Sequence, residues 1–209
     1  MTDRGDCAAA MRNLRTVFKP NLAFPADVFG SDWGDAYFFD SDWMFEGPAV
    51  TVLKNLMSVE DATCVCFANL DRLEEEEHQF YVHSETTDAE FEKLLVGEDG
   101  GGLGLGWHAA MDRFGCISDR GEWCIYCERH NDIAVLAFRS SELAKLCSPA
   151  VRALKAASIE EALAQSISWA FSSRGLPEHW RQALLRHYGS KRQRVLGGGF
   201  GRNRRWTTN

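Results

Sequence analysis

Residues 114–139, FGCISDRGEWCIYCERHNDIAVLAFR, constrain the fold more than any other stretch of this chain. Three short apolar runs alternate with turn residues, which is the pattern of a β-meander. Residues 115–118 form the first run; Asp119, Arg120 and Gly121 can then close a tight turn, with Gly121 free to take a positive φ. Residues 122–128 form the second run, residues 129–132 the next turn and residues 133–138 the third run. In that third run both alternating sets are apolar: Ile133, Val135 and Ala137 on one side, Ala134, Leu136 and Phe138 on the other. A strand covered on both faces gives such a pattern, so this one belongs inside a sheet.

The same reading extends outward. Residues 63–68 (TCVCFA) form a second strand apolar on both faces, residues 78–84 (HQFYVHS) alternate, and residues 36–39 make a short strand. Residues 7–18 predict a helix with Met11, Leu14, Val17 and Phe18 as its apolar stripe, ending before Pro20. A second helix starts at Glu46-Gly47-Pro48, and Thr87 with Glu90 three residues on predicts a capped helix over 87–96. After the meander the chain turns helical. Ser140 or Ser141 caps residues 142–147, Pro149 restarts the helix, and Ser158 with Glu161 forms a capping box. Apolar positions 159, 163, 167, 170 and 171 extend that helical spacing, and residues 177–188 make a last helix stopped by Gly189. The expected architecture is α+β: a mostly antiparallel sheet of about five strands, helices on one side, and a helical C-terminal part. Residues 1–139 form an acidic α+β domain, 140–189 a helical extension packed on it, and 190–209 a flexible basic tail.

Charge is divided along the chain. Residues 174–209 hold nine Lys or Arg and one acid, Glu178, leaving 14 bases and 29 acids on residues 1–173. The body therefore carries −15 and the C-terminal part +8, giving the net −7. Such a body repels nucleic acid and anionic lipid and attracts basic partners. No apolar run approaches the roughly 20 residues of a membrane span, and the N-terminus lacks the pattern of a secretory signal. Seven cysteines, an odd number set inside apolar runs, predict reduced thiols and a cytoplasmic setting.

Several stretches invite a chemical reading. The glycines of residues 97–106 fit neither a P-loop nor G-x-G-x-x-G, so they read as a connector or a lid, with His108 behind them as a general acid–base candidate. Cys64 and Cys66 with Cys124, Cys127 and His130 raise the question of zinc. Residues 124 and 127 of a regular strand point to opposite faces, so these read as buried thiols. The sequence assigns no metal, no cofactor and no catalytic residue. Residues 27–46 are dense in both aromatics and acids, and they carry the partner-binding expectation: Asp32, Trp33, Asp35, Tyr37, Asp40, Asp42, Trp43 and Glu46. There aromatics would supply contact energy while carboxylates steer a basic protein, with the Glu74–Glu77 run adding to the field. The alternative site is the tail, where Lys191, Arg192, Arg194, Arg202, Arg204 and Arg205 would bind nucleic acid. In general character the chain resembles the small acidic α+β proteins, with cysteine and tryptophan, that bacteria use as immunity partners of toxins. That likeness is one of style and covers no defined stretch. It implies a non-enzymatic, cytoplasmic inhibitor masking a basic partner such as a toxin domain. Nucleic-acid binding through the tail, or an enzyme with a pocket under residues 97–106, are the other expectations.

Overall fold

The structure, a computed structural model, describes residues 4–30, 33–45, 48–75, 78–96 and 112–190. The strands are β1 Ala36–Phe39, β2 Cys64–Asn69, β3 Gln79–His83, β4 Arg113–Ser118, β5 Trp123–Glu128 and β6 Ile133–Phe138. The helices are α1 Arg4–Val17, α2 Pro48–Glu60, α3 Asp88–Val96, α4 Ser141–Leu146, α5 Ser148–Ala153, α6 Ile159–Gln165 and α7 Glu178–Tyr188. The strands build one antiparallel sheet in the order β1-β6-β5-β4-β2-β3, with the meander β4-β5-β6 at its centre. The fold is α+β, as the alternation predicts, with six strands among the described residues where the sequence predicts about five.

The turns follow from their residues. Gly121 closes the β4–β5 turn at φ +75, and a side chain there would also meet Asn13, whose amide donates to the carbonyls of Ser118 and Asp119. Between β5 and β6 a 3-10 turn over Arg129–Asn131 ends at Asp132, which takes a left-handed φ of 53. The capping box of α6 is present in full: Ser158 accepts from the Glu161 N–H, and Glu161 accepts from the Ser158 N–H. That helix is shorter than its apolar spacing suggests, because Ser166 turns left-handed (φ 50) and ends it. Ala170 and Phe171 still reach the core, carried there by turns.

Helices cover both faces of the sheet, which corrects the one-sided expectation. On one face α2, α3, α4 and α5 pack over Phe39, Phe67, Trp123, Ile125 and Leu136. On the other α1, α6 and α7 pack over Phe38, Ile117, Cys124, Tyr126 and Val135. The physical reason is already in β2 and β6, whose six residues each are all buried. A strand apolar on both faces needs cover on both. The C-terminal helices thus complete both layers. The outer edge of β1 is covered too, since Phe38 exchanges backbone hydrogen bonds with Ala157. At the far end Tyr188 ties the last helix to the first loop: its hydroxyl accepts from the Val28 N–H and donates to the Ala26 carbonyl. No helix among the described residues is long and apolar enough to cross a membrane.

Candidate functional site

Two groups of chemistry-bearing residues emerge, one at each end of the sheet. The first lies where α1, packed over β2 and β4, brings its N-terminal part to the β2–β3 pair. Cys64 and His83 are direct cross-strand partners, so their side chains project to the same face about one strand spacing apart. Cys66 and Tyr81 are the next such pair along. Helix α1 lays its apolar stripe over this face, and Cys7 occupies the first position of the stripe, one turn ahead of Met11 and two ahead of Leu14. Cys7 Sγ therefore comes within 2.8 Å of Cys64 Sγ and 3.9 Å of His83 Nε2. The three ligand-type atoms all lie within 4.8 Å of one another; Cys64 is buried, and Cys7 and His83 are half-buried.

Burial is the main influence on the thiols here. It pushes the Cys64 thiol far up from its ordinary range, with Cys7 and the Asp119 carboxylate adding to the rise. Burial likewise raises Cys66 to about 12, against a lowering hydrogen bond from Tyr81. The phenol of Tyr81 is raised to about 12 by its own burial and by the neighbouring Cys66. Asp119 is held by the Thr63 N–H and hydroxyl, at 3.1 and 3.2 Å. His83 Nδ1 is buried without a hydrogen-bond partner among the described residues.

The zinc set weighed from sequence does not assemble. Cys124 packs into one core layer and Cys127 into the other, as strand geometry requires. His130 instead meets Asp112, with Nδ1 2.7 Å from Oδ1. The partners that Cys64 does find, Cys7 and His83, were not read as a set from the sequence. Cys7 carries one signal, its place in the apolar stripe of α1. His83 carries none, because the pairing of β2 with β3 is a tertiary fact.

The second group lines β1 at the opposite edge. Phe38 and Phe39 point into the two core layers, while Trp33, Tyr37 and Trp43 remain half-buried. Asp35 and Asp40 are half-exposed and Asp42 is exposed. The tryptophans are partly engaged by cations of the same chain: Arg139 lies 4.6 Å from the Trp33 ring and Lys155 4.6 Å from that of Trp43. Tyr37 is raised above its ordinary value, by burial first and then by the carboxylates of Asp35 and Glu161. Trp33, Asp35, Tyr37, Asp40, Asp42 and Trp43 lie on or next to β1, Trp33 against one core layer and Tyr37 and Trp43 against the other, whereas Asp32 and Glu46 lie outside the described residues. In the other acidic run, Glu74 pairs with Arg15 and Glu75 with Arg72, while Glu76 and Glu77 are outside the described residues. The same holds for the glycine stretch 97–106, for His108, and for the tail residues Lys191, Arg192, Arg194, Arg202, Arg204 and Arg205. Trp169, not singled out from the sequence, is 68% exposed.

Comparison with protein-family models, with curated proteins and with solved structures finds no match for this chain.

Proposed function

We propose that this chain is a non-catalytic binding module for a basic protein, of the immunity or antitoxin kind. The observation that carries the reading is the composition of the β1 edge. Trp33, Tyr37 and Trp43 are only half-buried, and Asp35, Asp40 and the exposed Asp42 alternate with them along this stretch of chain, with Trp33 toward one layer and Tyr37 and Trp43 toward the other. Half-buried aromatics are pre-organised anchors, because packing has already removed much of their rotamer freedom. Carboxylates around them favour a cationic surface and disfavour an acidic one. The body's charge of −15 adds a long-range field of the same sign, which speeds encounter with a basic partner. The cations over Trp33 and Trp43 are long side chains at the surface, and a partner's Arg or Lys can take their place on the ring.

The test is affinity capture from a nuclease-treated lysate of the native host, using the full chain and a variant with Asp32, Asp35, Asp40 and Asp42 all replaced by Asn. The native chain retains one basic protein and the variant loses it. With the captured protein purified, the association rate falls steeply between low and physiological salt for the native chain and is slow and nearly salt-independent for the variant. Equal capture and equal kinetics for the two chains overturn the reading.

A further inference from the structure

We propose that Cys7, Cys64 and His83 form a binding site for a thiophilic cation of the zinc class, held by two thiolates and one imidazole with a fourth position left for water. Thiolate and imidazole together select zinc-like ions over magnesium or calcium, which take oxygen ligands. The spacing suits a small tetrahedral ion. Zinc holds a thiolate and an imidazole nitrogen about 3.6 Å apart and two thiolates about 3.8 Å apart, from bond lengths near 2.3 and 2.0 Å. The Cys7–His83 separation of 3.9 Å is close to the first value. The two sulfurs, at 2.8 Å, need to part by about 1 Å, a motion that rotation of the half-buried Cys7 side chain supplies.

The framework is rigid where a site needs it to be. Cys64 and His83 are locked in register by the β2–β3 ladder, and Cys7 is placed by a helix anchored through Ala10, Met11 and Leu14. The imidazole itself points to a missing partner. Its Nδ1 is buried with no hydrogen bond among the described residues, and Nε2 lies 3.9 Å from the Cys7 thiol. A buried nitrogen left unpaired carries a desolvation cost, and a metal bond at the ring offsets part of it. Asp119, which accepts from the Cys64 N–H, adds negative field that favours a cation beside the Cys64 sulfur.

The experiment titrates the reduced, metal-stripped full chain with Co2+, then displaces it with Zn2+. One Co2+ per chain is expected, with thiolate-to-cobalt charge-transfer absorption and the intense visible bands of a tetrahedral site. Cys7→Ser and His83→Gln, both at half-buried positions, lower Co2+ affinity by more than the roughly 100-fold seen for outer-shell changes. Cys147→Ser, a thiol in the other core layer, leaves it unchanged. Cys64→Ser sits inside the sheet and is read only where its thermal unfolding stays cooperative. Absence of a saturable band overturns the proposal, as does a band that survives in Cys7→Ser and His83→Gln. A Cys7–Cys64 disulfide that persists in the reduced preparation and blocks cobalt uptake overturns it as well.

Discussion

Glu60 and Glu128 are both carboxylates drawn into the protein, and their surroundings differ. Glu128 is fully buried, and its two oxygens accept from the Phe24 N–H, the Tyr126 hydroxyl and the Asn131 amide. Burial and the adjacent Glu128 push the Tyr126 phenol far up, so it stays a donor. Glu60 is less well served. Its Oε2 accepts from the Glu122 N–H at 3.3 Å, while Oε1 is buried with no hydrogen bond among the described residues, and burial pushes the group up to about 7 against the lowering influence of Ser118, Glu122 and Trp123. A carboxyl raised in the folded state binds its proton more tightly there than in the unfolded chain. Stability is therefore fully present below the unfolded value, near 4.3, and is lost as pH rises to about 7, beyond which this contribution is flat. Glu60→Gln keeps the shape and removes the charge. The variant should be more stable than the native chain at pH 8, by on the order of 2–3 kcal/mol, and equal to it at pH 4. Denaturant unfolding at the two pH values measures this, and a gap that does not depend on pH would rule it out.

At the scale of elements, local signals were legible and long-range choices were not. The caps at Ser140 and Ser158, the bounds of β1 and the turn at Gly121 all follow from a few adjacent residues, and the structure reproduces them. The reach of α6 was overread because apolar spacing continues past Ser166 while the backbone does not. The cover on both faces was implied by β2 and β6, but which helices supply it is decided by packing across the whole chain. The same limit applies to the sites. The acids and aromatics around β1 are neighbours in sequence and could be named, whereas Cys7, Cys64 and His83 meet through the packing of α1 on β2 and β4 and the pairing of β2 with β3. The seat of α1 on β4 includes one glycine. A side chain at Gly115 would stand 2.5 Å from the Phe18 ring, just past the end of α1, so its absence lets the ring lie against β4. Gly115→Ala should cost about 1–3 kcal/mol through overpacking and should loosen α1. Hydrogen exchange checks it: amides of α1 lose protection more than those of α2, and an even loss across both helices would show that α1 does not depend on this contact.

At the scale of the whole molecule, the question is whether residues 1–139 stand alone. They contain all six strands found among the described residues, so strand count gives no reason to doubt it. Burial does. Removing residues 140–189 strips Ala144, Cys147, Ala150 and Leu154 from one face, and Ile159, Ala162, Phe171 and Leu184 from the other. Phe38 loses Phe171 and Tyr188 as ring neighbours, 6.0 and 5.2 Å away, and Trp43 loses Lys155. The outer edge of β1 loses Ala157, leaving an open edge strand beside newly exposed apolar surface. Each large side chain left uncovered forfeits about 1.5–3 kcal/mol. Three or four of them match the about 5–15 kcal/mol that holds an ordinary domain together. The fragment 1–139 should therefore lack a cooperative thermal transition and should aggregate or bind a hydrophobic dye, whereas the full chain unfolds in one step. A sharp transition in the isolated fragment would instead make residues 140–189 a dispensable cover. It would also detach the β1 edge, where the partner is proposed to bind, from the helices that now brace it.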